Sequence, residues 1–145
     1  MNKILKIPFA AFNNNWDDLQ LFLKHRGNPP YEITDDLNLR FSDIKTLGNL
    51  TSVGGYLVLS RSKIESLGNL TSVGGGLNLF ESNIKSLGNL TSVGGYLNME
   101  YSKIKDLGNL TSVGGYLYLG KTPLSRKYTE EKIRSMIEVR HKIYF

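Results

Sequence analysis

Residues 37 to 116 write one twenty-residue segment four times. The copies LNLRFSDIKTLGNLTSVGGY, LVLSRSKIESLGNLTSVGGG, LNLFESNIKSLGNLTSVGGY and LNMEYSKIKDLGNLTSVGGY begin at Leu37, Leu57, Leu77 and Leu97. A fifth opens at Leu117 and breaks at Pro123. A fixed period near twenty specifies a repeat solenoid, because one copy is too short to bury its own apolar side chains and only stacked copies make a continuous core.

Within a copy, the alternation Leu57-Val58-Leu59, repeated at Leu77-Asn78-Leu79 and Leu97-Asn98-Met99, marks a short strand with leucine inward and the middle residue outward. Stacked copies pair these strands into one short parallel sheet. Ser42, Ser62, Ser82 and Ser102, continued by Thr122, form a hydroxyl column suited to backbone groups where the coil turns away from that sheet. Ile64, Leu67, Leu70 and Val73 then recur at spacings of three, which suits a tight 3₁₀-like arc on the far side. The pairs Gly54-Gly55, Gly74-Gly75, Gly94-Gly95 and Gly114-Gly115 supply positive φ or close backbone approach for the turn into the next strand.

The flanks read as helical caps on a single domain of residues 1–145, with an N-terminal cap over 1–36, repeats over 37–124 and a C-terminal cap over 125–145. Lys3 to Phe9 reads as an edge strand limited by Pro8. A helix follows over about 15–26, N-capped by the Asn13–Asn15 run, with Asp17 and Asp18 in its first turn and Gly27 after its end. Its face of Trp16, Leu19, Phe22 and Leu23 covers an open end of the core. Thr129 reads as the N-cap of a second helix, EEKIRSMIEVRHK, with Ile133, Met136 and Ile137 on one face.

The repeat resembles the leucine-rich repeat, L-x-x-L-x-L-x-x-N/C-x-L, in its shortest form. Serine stands in place of the usual Asn or Cys column, and the first Leu of the pattern falls on Gly54, Gly74, Gly94 and Gly114. The LTSVGGYLNL wording is similar to repeats of bacterial and bacteriophage proteins. That resemblance implies an intracellular prokaryotic or viral protein, in the host cytoplasm if viral, which recognises another protein on its concave face.

Few residues suit catalysis. The chain has no cysteine and two histidines, His25 and His141, in opposite caps, so a metal site of nitrogen and sulfur ligands has little to build from. No G-x-S-x-G elbow precedes a serine and no G-x-x-x-x-G-K-[ST] loop occurs. The reading is a non-enzyme with no cofactor. Asn49, Asn69, Asn89 and Asn109 match N-x-[ST], but one match copied four times reads as a turn-capping ladder. The segment MNKILKIPF is interrupted by Lys6 and Pro8 and does not read as a leader, and no apolar run is long enough to span a membrane.

Differences between copies point to the working surface. LGNLTSVGG is unchanged four times, whereas variation collects on the outward strand positions and the turn after them. Tyr56, Tyr96 and Tyr116 form one outward column, Asn78, Asn98 and Tyr118 a second, and Arg40, Phe80 and Glu100 a third, with Arg61 and Tyr101 on the rim. Outward strand residues fill no core, so exposed tyrosine, phenylalanine and asparagine there read as a contact surface for a partner protein. Such a sheet face spans a few hundred Å², short of the ~800 Å² that a standard interface buries on each partner. The rim, a cap or a second copy of the chain must add area. Nucleic acid is the alternative partner: the chain carries a net charge of +5, and Lys45, Lys85 and Lys105, a column interrupted by Glu65, would contact phosphates together with the C-terminal Arg126, Lys127, Lys132, Arg134, Arg140 and Lys142.

Overall fold

The computed structural model describes residues 4–145 and is a parallel β-solenoid whose repeats stack as three-sided coils. The expected sheet forms from β3 (Leu37–Asn38), β5 (Leu57–Val58), β7 (Leu77–Asn78), β9 (Leu97–Asn98), β11 (Leu117–Tyr118) and β13 (Ile143–Tyr144), paired in that order. Leu37, Leu57, Leu77, Leu97, Leu117 and Ile143 stand in register along it and are buried. Burying a leucine contributes about 1.5–3 kcal/mol, so this spine is one of several buried columns that hold the coils together. We call it the leucine sheet.

A second sheet stands where a 3₁₀-like arc was expected. β1 (Leu5–Ile7), β2 (Tyr31–Ile33), β4 (Leu50–Val53), β6 (Ser72–Val73), β8 (Ser92–Val93), β10 (Ser112–Val113) and β12 (Glu138–Val139) pair in parallel as a serine sheet. Inter-coil hydrogen bonding explains the difference. Thr71 N–H donates to Thr51 O at 2.8 Å and Thr91 N–H to Thr71 O at 2.8 Å, whereas a 3₁₀ arc would turn those donors back on its own coil. The threonine hydroxyls repeat the pattern, with Thr71 Oγ1 donating to Thr51 O at 3.0 Å and Thr111 Oγ1 to Thr91 O at 2.9 Å. On the third side, single bridges join Thr46 to Ser66 and Ser86 to Asp106.

Turns divide the glycine work differently from the sequence reading. Positive φ falls on Gly48, Gly68, Gly88 and Gly108, where Leu50, Leu70, Leu90 and Leu110 close a turn on the leucine three residues earlier. Positive φ at the first central position is the requirement of a type II′ turn, which glycine meets without steric cost. The Gly-Gly pairs serve close approach alone: a Cβ on Gly74, Gly94 or Gly114 would collide with the carbonyl of the equivalent glycine one coil before.

The N-terminal cap follows the sequence. Of the edge strand expected over Lys3–Phe9, Lys3 lies outside the described residues, Leu5–Ile7 forms β1 at the sheet's edge, and Phe9 belongs instead to the turn that follows. A 3₁₀ turn, Phe9–Phe12, lies between β1 and the helix α1 (Trp16–Lys24); Asn15 Oδ1 accepts the Asp18 N–H at the start of α1, and Leu19 and Leu23 join the core.

The C-terminal cap over 125–145 differs in part: the expected helix starts after its N-cap Thr129 but ends at Met136 instead of running on through Lys142, and the cap holds two short helices and two strands. These are α2 (Pro123–Lys127), begun by a Thr122–Ser125 capping box, α3 (Glu130–Met136), then β12 and β13. Extended backbone wins after Met136 because Glu138 N–H reaches Thr111 O at 2.9 Å and Arg140 N–H reaches Val113 O at 3.0 Å, completing the exposed edge of β10. Val139 and Ile143 are buried as a result. Arg134 fastens the segment, donating to Val139 O at 2.8 Å and His141 O at 2.7 Å while paired to Glu130 at 3.1 Å.

Candidate functional site: the outer face of the leucine sheet

Alternation along each strand sends one side chain inward and the next outward, so the leucine spine fixes what the opposite face displays. Tyr56 and Tyr116 are exposed and Tyr96 is half-buried. Tyr96 sits lower because residue 76 is glycine; its ring occupies the vacant side-chain position and comes 6.3 Å from the ring of Tyr56. Burial raises the Tyr96 pKa above its usual value, with smaller contributions from Tyr56 and Tyr118.

Asn78 and Asn98 occupy the second column. Each carboxamide oxygen accepts the N–H two residues ahead, Phe80 and Glu100, both at 3.0 Å, and Asn38 does the same for Arg40 at 3.1 Å. This internal bond orients the amide and leaves its Nδ2 donors without a partner among the described residues. Tyr118 follows them, and Tyr144 extends the column by one coil, stacking on Tyr118 at 5.0 Å with planes 7° apart.

Besides the Tyr56–Tyr96 pair, the structure gathers expected residues into two further aromatic groups. Phe80 meets Tyr101 edge-on at 5.5 Å, with the Arg61 guanidinium 5.7 Å from the Phe80 ring and bonded to Glu81 at 2.9 Å. Tyr116, Tyr118, Tyr144 and His141 form the other, His141 stacking on Tyr116 at 5.1 Å. Arg40 stands apart at the N-terminal end, over Phe41 at 4.6 Å. Glu100 is half-buried between the groups. Sequence reasoning missed His141, Lys142, Tyr144 and Phe145. A signal was present: EVRHKIYF at 138–145 matches SVGGYLYL at 112–119 in its valine, its β-branched or leucine core position and its tyrosine.

The corner beyond the sheet is unusual. Ser42, Ser62, Ser82 and Ser102 N–H groups close turns on the carbonyl three residues earlier, and the second central residue of each has positive φ. Those residues are Phe41, Arg61, Glu81 and Tyr101, at φ 51 to 62°, with Lys121 at 59° one coil further. A type II turn favours glycine or asparagine there, and left-handed backbone costs other residues about 1–2 kcal/mol each. Two of the four serines lock their corners, Ser62 Oγ donating to Leu59 O at 2.6 Å and Ser102 Oγ to Met99 O at 2.7 Å, whereas Ser42 Oγ and Ser82 Oγ have no hydrogen-bond partner among the described residues.

The opposite, serine-sheet face has no aromatic counterpart. Its shallow groove of about 390 Å³ is lined by the Ser72, Ser92 and Ser112 rows with glycines beside them and by Glu138 and Arg140 at one end, and its threonine hydroxyls donate to the coil before. On the third side, Lys63 pairs with Asp43 at 3.3 Å, while Lys85 and Lys103 line a shallow depression with Glu65 and Asn83. Among the described residues no group of three or more His, Asp and Glu is placed to hold a metal ion, and no helix is long and apolar enough to cross a membrane. No protein family, characterised protein or solved structure matches this chain.

Proposed function

We propose that this chain is a non-catalytic binding module that holds a partner protein against the outer face of its leucine sheet. One observation carries the reading: Tyr56, Phe41, Tyr101, Tyr116, Tyr144 and Phe145 are all exposed on or beside this one sheet, while the serine-sheet face displays small hydroxyls and glycine along its middle and the charged Lys6, Glu32, Glu138 and Arg140 toward its ends. Large rigid aromatic side chains give contact area at low entropic cost, and the outward Asn78 and Asn98 amides supply directional donors. The resemblance to leucine-rich repeats of bacterial and bacteriophage proteins supports the same reading and makes a host protein, such as a defence component met in the cytoplasm, the first partner to seek.

The experiment is affinity capture from host extract with the unaltered chain and with a Tyr96→Ala, Asn98→Ala, Tyr116→Ala variant. The partner is expected on the first and absent from the second, with unchanged far-ultraviolet circular dichroism. Equal capture by both refutes the sheet face as the binding surface.

A further inference from the structure

The solenoid contains two columns of left-handed backbone, and it fills them in opposite ways. Gly48, Gly68, Gly88 and Gly108 occupy one; Phe41, Arg61, Glu81, Tyr101 and Lys121 occupy the other. Glycine is the unstrained choice for both. In the second column it never occurs, although the neighbouring LGNLTSVGG segment is unchanged from copy to copy.

The side chains kept there return little to the fold. Phe41 is 60% exposed and Tyr101 54%, and the Arg61–Glu81 pair lies at the surface with 47% and 43% of its side chains exposed. A pair so exposed is worth little in water. Lys121 has no ion-pair partner among the described residues. Five strained corners therefore carry five projecting groups whose contacts within the solenoid, the Phe80–Tyr101 edge contact and the Arg40–Phe41 and Arg61–Phe80 cation contacts among them, all lie at the surface.

From this contrast we infer that the ridge Phe41, Arg61, Glu81, Tyr101 and Lys121 determines which partner the leucine-sheet face accepts, and is retained against stability for that purpose. The inference rests on the protein-binding reading above and sharpens it. Arg61 and Glu81 neutralise each other, so the matching protein surface presents apolar groups to Phe41 and Tyr101 and a carboxylate to Lys121. One group per coil, about 4.8 Å apart, sets a ruler along the solenoid that distinguishes partners by spacing as well as by charge.

The test needs no partner at its first step. Glycine is placed singly at Phe41, Tyr101 and Lys121 and then at all five corners, and thermal unfolding is followed by circular dichroism. Release of left-handed strain outweighs the added flexibility of the unfolded chain, so each single variant is expected to melt about 1–3 °C higher and the fivefold variant about 5–10 °C higher. Gly68→Ala, in the other column, is the opposing control and should melt lower, because its Cβ would press on the Gly48 carbonyl. Lower melting temperatures for the single corner variants overturn the inference, since the side chains would then be serving the fold. At the second step, the fivefold variant is expected to lose the partner captured by the unaltered chain. If it keeps that partner while the Tyr96→Ala, Asn98→Ala, Tyr116→Ala variant loses it, the ridge is refuted and the sheet face stands.

Discussion

The ring of Tyr96 lies across the Cα of Gly76, in the space that a side chain at residue 76 would fill. The missing tyrosine of the second copy is thus structurally compensated by the tyrosine of the third, which tips over and reaches Tyr56. Gly76→Ala should push the Tyr96 ring outward at a cost of about 1 kcal/mol, the order of one aromatic contact. Ultraviolet titration should then show the Tyr96 pKa falling back toward the usual value of 10.0. An unchanged titration would mean that the ring does not depend on the gap.

Tyr31 gives the fold an alkaline limit. It is 2% exposed, accepts a hydrogen bond from Gln20 Nε2 at 3.1 Å, and burial pushes its pKa from 10.0 up to about 12, the Gln20 bond opposing part of that rise. The folded state therefore holds this proton more tightly than the unfolded state. The associated stability is complete below pH ~10 and is lost as pH rises toward 12, amounting to roughly 3 kcal/mol. Denaturant unfolding at pH 8 and pH 11 should capture about half of it, ~1.4 kcal/mol. Tyr31→Phe is expected to flatten the difference.

The serine column should divide into two energetic classes. Ser62 Oγ donates to Leu59 O at 2.6 Å and accepts from Ile64 N–H at 3.4 Å, whereas the buried Ser82 Oγ makes no hydrogen bond. Ser62→Ala is expected to cost about 1 kcal/mol and Ser82→Ala to be neutral or slightly stabilising, because it removes an unpaired polar atom from the core. Urea unfolding of the two variants side by side provides the comparison.

Much of this was legible in the residues. Leu57, Leu77 and Leu97 announced their shared column because each recurs in a twenty-residue frame next to an alternating neighbour. The serine sheet was not, since its repeat strands carry only a Ser-Val core at most positions and Leu67, Leu70 and Val73 fall at spacings of three that also suit a 3₁₀ arc. What decides between them is hydrogen bonding to the next coil, which local spacing does not report. The sixth coil escaped for another reason: Ile143 pairs with Leu117 across a gap widened by α2 and α3, while Ile133, Met136 and Ile137 resemble one continuing helical face. The aromatic candidate face was largely foreseen, but its extension through Tyr144 and His141 followed only from that pairing. The strained corners were invisible, because no glycine or asparagine marks them.

Arg134 is the fastener of that last coil. Arg134→Ala frees the Val139 and His141 carbonyls and should cost about 1 kcal/mol, the value of charge-assisted bonds discounted for partial exposure. Faster amide hydrogen exchange at Glu138, Arg140 and Tyr144, with little change at Leu77 or Leu97, is the expected signature. Uniform loss of protection along the solenoid would show instead that the end coil unfolds only with the whole.

The claim that one outer face binds while the other only closes the coil is tested most directly by comparing two triple variants against the captured partner. Tyr56→Ala, Tyr116→Ala, Tyr118→Ala strips the leucine-sheet face; Ser72→Ala, Ser92→Ala, Ser112→Ala strips the serine-sheet face. Binding measured by surface plasmon resonance is expected to fall at least tenfold for the tyrosine variant and to stay within about twofold for the serine variant, a loss of ~1.4 kcal/mol or more against almost none. Loss of binding by the serine variant, with the tyrosine variant unaffected, would contradict the assignment.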